Sequence, residues 1–485
     1  MNLRKLHELS FDNTYKRLPE DFYDPVSPAG FQNPHLVAFN LDAMELLDLD
    51  PNEALTPEFV EYFSGRKPLP GSEPLAMYYT GHQFGVYNPD IGDGRAILLG
   101  EVRNRKGEKW DLHLKGSGRT RYSRVFDGRA VLRSTIREYL CSEAMYALGI
   151  PTTRALCIIG SDEKVEREST ERGAMMLRMS PSHVRFGSFE AFHYTGREDS
   201  LKILADYTIS EYFPEIKEGE KKYRDFLYEV VDRTAVLAAL WQALGFTHGV
   251  MNTDNMSVLG LTIDYGPFGF MEEYDPGYTP NHSDHFGRYS FENQSGIAFW
   301  NLGKFANSLV SIVPSEEAMQ AVGEFKNTYS QYYFERMREK LGLKTSQKND
   351  GELIKRLLQI MQDEKADYTN TFRALSDLST GDENINIFKS EAFREWAHLY
   401  RTRLKDEHSA DNERKIYMET VNPKFVLRNS LAEKAIRKAV DEHDYSEIER
   451  LHNILRNPYS EQPEYDEYSK FSPEGTKNLV ISCSS

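Results

Sequence analysis

Residues 248 to 266 read HGVMNTDNMSVLGLTIDYG. They hold a histidine (His248), a carboxamide (Asn255) and two carboxylates (Asp254 and Asp264) within one short stretch. Carboxamide and carboxylate oxygens are hard donors suited to Mg²⁺, whose remaining ligands are commonly phosphate oxygens. Upstream, Lys115 closes the run WDLHLK, Glu138 falls on the next helical pattern, and Gly92 and Gly94 interrupt NPDIGDGR. A triphosphate needs a cation, backbone donors and metal held by oxygen ligands, and these residues supply each. The chemistry suggested is transfer of part of a nucleoside triphosphate.

Order along the chain carries more weight than any single residue. Protein kinases place a glycine loop, a strand lysine, a helix glutamate, an H-R-D-x-x-x-x-N loop and an Asp-Phe-Gly in this sequence. His248 fits the histidine, Asn255 falls seven residues later, and Asp264-Tyr265-Gly266 stands at the final triplet. The position of the kinase base, however, is Val250. That disfavours conventional γ-phosphoryl transfer. Asp254 is the nearest carboxylate that could take a hydroxyl proton, from an acceptor approaching on another side and attacking a different phosphorus. Arg95 in the glycine loop, with Arg178 and Arg185 in MLRMSPSHVRFG, are candidates to grip phosphate bidentately. Singly, each residue has an ordinary alternative, such as a solvated lysine, a hairpin glycine or a salt-bridging arginine. His248, following a buried helix, reads as a structural residue of its loop. Asp264, after the apolar VLGLTI, reads as a carboxylate ending a buried strand and needing a partner or a metal.

The elements that would hold these groups are legible as periodicity. Ala96 to Arg103 and Trp110 to Leu114 read as strands, Arg154 to Ile159 and Gly173 to Arg178 as two more. Ser134 to Leu148 reads as a serine-capped helix, and Phe226 to Leu244 as a buried helix delivering the chain to His248. Residues 1–74 read as an extended arm with one helix at Leu41 to Leu49. Helices are expected at 298–312, 316–341, 351–363, 388–407 and 430–455, with a polar strap from Pro458 onward. The 485 residues carry 75 acidic against 59 basic side chains, net −16, which argues against nonspecific nucleic-acid binding. Three scattered cysteines suit a reducing compartment rather than a disulfide framework. Neither a leader nor a membrane span is evident, so a cytoplasmic monomer is expected.

GHQFGVYNPDIGDGRA (81–96), LHLKGSGRTRYSRVFDGRAVLRSTIREYL (112–140), THGVMNTDNMSVLGLTIDYGPFGF (247–270) and NPYSEQPEY (457–465) together resemble the selenoprotein O family of kinase-like proteins. The resemblance covers nearly the whole chain. It implies an α+β, bilobal protein-kinase-like fold, with an N-terminal extension (1–75), an N-lobe (76–190), a C-lobe (191–345) and a C-terminal helical extension and tail (346–485). It implies AMP transfer from ATP to Ser, Thr or Tyr of proteins, with the nucleotide flipped relative to a kinase. Asp254 resembles the family's base, Asn255 and Asp264 its Mg²⁺ ligands, and Lys115 with Glu138 its ion pair. Gly92, Gly94, Arg95, Lys115, Asp127, Gly128, Arg178, Arg185 and Asp264 look like its ATP contacts. UMP transfer from UTP with Mn²⁺, an atypical kinase and a silent pseudokinase scaffold are the alternatives. Cys483 matches the position of selenocysteine in some members, while Pro280 stands where relatives carry a partner cysteine, so an intramolecular bridge is not expected and the redox role left to Cys483 is oxidation or a mixed disulfide.

Overall fold

The computed structural model describes residues 3–379, 387–473, 479 and 481. It is an α+β fold around one eight-stranded antiparallel sheet. In chain order its strands are β1 (Tyr23–Pro25), β2 (His35–Phe39), β3 (Leu75–Met77), β6 (Ala96–Arg103), β7 (Lys109–Lys115), β8 (Ala130–Val131), β9 (Arg154–Glu166) and β10 (Thr170–Ser180). The strand order is β1-β3-β6-β7-β10-β9-β2, with β8 beside β10. Between β3 and β6 a separate hairpin pairs β4 (Gly81–Gln83) with β5 (Val86–Asn88).

The alternation in WDLHLK gives β7 two unlike faces. Leu112 and Leu114 join an apolar cluster with Ile97, Leu99, Met175 and Leu177, capped by Met44, Phe59 and Phe63 of the N-terminal segment. Asp111, His113 and Lys115 occupy the opposite face. The N-terminal segment is therefore more than the expected arm. It covers one face with α1 (Leu41–Glu45) and α2 (Pro57–Phe63), and supplies β1 and β2 as the sheet's two ends. Strand edges left bare invite pairing with other chains, and here both are N-terminal.

Against the other face packs α3 (Leu132–Ala147), sharing a core with α4 (Phe186–Tyr194), α5 (Glu198–Tyr212), α6 (Lys222–Leu244), α7 (Gln294–Ser308) and α8 (Ser315–Lys340). A third cluster gathers α9 (Asp350–Asp363), α10 (Tyr368–Leu375), α11 (Glu391–Asp406) and α12 (Asp411–Val421). The chain then returns to α3 through α13 (Asn429–Asp441) and α14 (Ser446–Leu455). Arg137 donates to Asn429 Oδ1 at 3.2 Å, and the rings of Tyr139 and His452 lie 5.5 Å apart.

Several expectations need correction. Helix α3 begins after Val131 with no side-chain cap, and Ser134 inside it donates to the Val131 carbonyl. The single helix expected over 430–455 is two, broken where His443 takes φ +56°. The first helix stops at Glu45 instead of reaching Leu49. VLGLTI is not a strand, because Gly260 turns the chain at φ +67° and only Thr262 bridges, to Thr152. Helices α2, α4, α5, α10 and α12 were not foreseen. Cys483 lies outside the described residues. Among those described, no helix is long and apolar enough to cross a membrane.

Candidate active site

A cavity of about 540 Å³ is walled by the inner sheet face and by the loop after α6. Gly92, Gly94, Arg95, Lys115, Asp127, Gly128, Arg178, Asp254, Asn255 and Asp264 all line it, as does Val250. Glu138 and Arg185 do not line it; they stand behind it, each bonded to a lining residue.

Strand register explains the cluster. His113 on β7 lies opposite Arg178 on β10, and Lys115 is two residues further along the same face. Lys115 pairs closely with Glu138 of α3, whose other oxygen accepts from Arg178 Nη1 at 3.1 Å. Arg178 also pairs closely with Asp264, and Arg185 Nη1 reaches the second Asp264 oxygen at 2.7 Å. Burial works to raise the Asp264 carboxyl, but the Arg178 and Arg185 charges outweigh it and hold it well below the ordinary range. Burial depresses the Lys115 ammonium, opposed by Glu138. Asp264 itself sits at φ +56°, a left-handed conformation that an aspartate tolerates better than most residues.

Asp254 behaves oppositely. It is 8% exposed, its Oδ2 accepts from Gln83 Nε2 at 3.2 Å, and its Oδ1 has no partner. Burial pushes its carboxyl up to about 7, against the pull of Arg185. Two carboxyl groups on one wall are thus driven apart, one firmly ionised and one poised near neutrality, the pattern of a divided acid-base assignment. Asn255 donates from Nδ2 to the Val250 carbonyl at 3.0 Å, which leaves its Oδ1 free. His248 is buried, with Nε2 2.9 Å from the Ile263 carbonyl, as a structural residue of the loop should be.

A free carboxamide oxygen and an ionised carboxylate on one cavity wall are a donor set that fits Mg²⁺, which keeps water and phosphate oxygens as its other ligands. Among the described residues no group of three or more His, Cys, Asp or Glu gathers in the manner of a closed metal cage. The basic lining residues Arg95, Lys115, Arg124, Arg129, Arg167 and Arg178 outnumber the acidic Asp93, Asp127, Asp254 and Asp264. Lys115, Arg129, Arg167 and Arg178 are each paired with a carboxylate, so Arg95 and Arg124 are the lining cations without an ion pair among the described residues. Arg95 is exposed and forms no ion pair among the described residues, whereas Asp127 is bound by Arg167 at 2.9 Å.

The glycines are required by close approach. A Cβ on Gly94 would stand 2.7 Å from the Tyr122 carbonyl, and one on Gly128, at φ +71°, 2.1 Å from that of Gly118. Sequence reasoning missed Gln83, Asp93, His113, Arg124 and Arg167. Asp93, between the two loop glycines, accepts from His113 Nε2 at 2.9 Å, while His113 Nδ1 accepts from Arg178 at 2.8 Å. The glycine loop is thereby tied to the arginine that holds Asp264. The signal for His113 was its place two residues before Lys115 on an alternating strand; for Arg124 and Arg167 it was arginine density; for Gln83 there was none.

A family model described as protein adenylyltransferase SelO matches residues 5–456. The chain is 51% identical over 486 residues to a protein of Myxococcus xanthus named protein nucleotidyltransferase YdiU, with 99% of each chain covered. Proteins of the same name from Thiobacillus denitrificans (50% over 486 residues, 99% of each) and Thioalkalivibrio sulfidiphilus (50% over 493 residues, 100% of each) are similar throughout.

Proposed function

The chain belongs to the protein adenylyltransferase SelO family and is a nucleotidyltransferase, and on that premise we propose that it transfers AMP from ATP to a Ser, Thr or Tyr hydroxyl of a protein, releasing pyrophosphate. The accompanying fold reading is bilobal and kinase-like, with residues 76–190 and 191–345 as lobes and with extensions at 1–75 and 346–485. The Lys115–Glu138 pair, the Asn255 loop and the Asp264 turn around one cavity support it.

The observation that carries the function is Asp254: a buried carboxyl on the cavity wall, poised near neutrality, with one oxygen unbonded. A general base works best with a pKa near the operating pH. Asp254 Oδ1 accepts the proton of the acceptor hydroxyl, whose oxygen bonds to the α-phosphorus as the bond to the bridging oxygen breaks and pyrophosphate leaves. Val250 offers no such group at the usual kinase position. Lys115, Arg178 and Arg95 meet the phosphate charge, with Glu138 orienting Lys115. Arg185 supports Asp264 from behind and also donates to the Asp254 carbonyl at 2.7 Å, so one guanidinium fixes both carboxylate residues. Asn255 and Asp264 would hold Mg²⁺, which when bound neutralises charge on the phosphate oxygens.

Paired variants test this. Asp254→Asn is expected to bind ATP normally and to lose transfer by roughly 10²–10⁴-fold. Asp264→Ala is expected to lose metal-dependent nucleotide binding, read by titration calorimetry. Full transfer in Asp254→Asn would remove it from the base role.

A further inference from the structure

The β4–β5 hairpin beside Asp254 turns through Phe84 and Gly85, at φ +49° and +86°. Two-residue hairpin turns of this kind favour Asn, Asp or Gly first, and a bulky aromatic there is strained. The strain is held in place. Phe84 N donates to Asn252 Oδ1 at 3.2 Å and to Tyr289 Oη at 2.9 Å, while Tyr289 Oη donates to Asn252 at 2.6 Å. The preceding residue, Gln83, is the one that touches Asp254. Strain maintained next to a reactive group points to a use for the side chain displayed.

What is displayed is apolar. Phe84 is 41% exposed, Val86 72% and Phe286, on the facing loop, 99%. Phe84 lines both the nucleotide cavity and a neighbouring groove of about 480 Å³, shared with Phe286, Arg288 and Ile297. Among the described residues Arg288 is the one cation lining the groove. It stacks on Trp300 at 4.7 Å, its Nε is unbonded, and it pairs with no carboxylate among the described residues. Asp284 also lines the groove, but its oxygens accept from the backbone amides of Arg288 and Tyr289 at 3.0 and 2.7 Å.

We infer that this groove seats the acceptor polypeptide, as an extended segment that places a large apolar residue against Phe84 and Phe286 and a carboxylate on Arg288. Continuity through Phe84 then delivers a nearby hydroxyl to Asp254. With the Asp284 oxygens taken up by backbone amides, Arg288 is the lining charge left to meet a ligand, and it favours a carboxylate over an ammonium at its own contact. The inference rests on the transfer reading, and supplies its protein partner class.

The test uses the intact chain with a nonhydrolysable ATP analogue filling the nucleotide cavity. Two short fluorescein-labelled peptides are titrated by anisotropy, each with a central Tyr flanked by Leu and either Glu or Lys. The Glu peptide should bind about tenfold tighter than the Lys peptide, Arg288→Glu should reverse that order, and Phe286→Ser should weaken the Glu peptide. Phe286 is wholly exposed, so its variant carries little folding risk. Equal binding of the two peptides, or a preference unmoved by Arg288→Glu, overturns the inference. So does a dimer abolished by Phe286→Ser in sedimentation, which would assign the groove to a second copy. With ATP labelled at the α-phosphate, the expected binding without labelled peptide would sink the transfer reading alone, while label transferred without peptide preference would sink the groove alone.

Discussion

At the scale of the residue, Asp254 and Asp264 show how position sets the role of identical side chains. Asp264 is ionised because two buried guanidiniums face it, and Asp254 is poised because burial outweighs one. Transfer should therefore rise with pH through about 7 and level off above it, as the Asp254 base form becomes populated. Stability should move the other way. The folded chain holds the Asp254 proton up to about 7, against an ordinary value of 3.8, so stability falls as pH rises between those values. Asp254→Asn removes the buried charge and is expected to melt higher at pH 8, by at most about 4 kcal/mol, with no gain at pH 4. A variant melting lower at pH 8 would contradict this. Asp254, Asn255 and Asp264 were legible because they are nearly contiguous. His113 and Asp93 were not, because a buried polar chain is defined by partners such as Arg178, 65 residues away.

At the scale of the element, β7 was legible by alternation, yet alternation does not say which face meets the ligand. The polar side Asp111, His113 and Lys115 became a site only through register with β10 and the arrival of α3. Gly128 entered only through the family resemblance, and nothing in residue spacing foretold that the loop from Gly116 to Gly128 closes on itself. Gly128 donates no room for a side chain beside the Gly118 carbonyl, and Gly118 N donates to the Gly128 carbonyl at 3.1 Å. Gly128→Ala is expected to cost at least about 1–2 kcal/mol for the left-handed backbone and to raise KM for ATP more than it lowers kcat. Unchanged KM would place the loop outside nucleotide binding. The strand expected at VLGLTI failed for the converse reason. One glycine turn overrides an apolar run, and Asp264 is positioned by arginines rather than by a strand.

At the scale of the whole molecule, both ends of the chain brace the site. The N-terminal segment closes the sheet's ends and covers its far face, while α13 and α14 back α3, which carries Glu138. Buried Arg428, just before α13, joins Asp367, the N-cap of α10, at 2.8 Å and Glu272, two residues after Phe270, at 3.5 Å, tying the C-terminal helices to both. Arg428→Ala leaves those carboxylates unpaired and is expected to lower stability by about 3–5 kcal/mol, read by thermal melting. These braces were least legible, since composition marks the extensions as helical or polar without saying what they touch. The central claim concerns which phosphorus is attacked. Purified protein incubated with Mg²⁺ and ATP labelled at either the α- or the γ-phosphate, with label then read on protein, answers it most directly. Retention of α-label without γ-label is the predicted result; retained γ-label would make the chain a kinase and contradict the account.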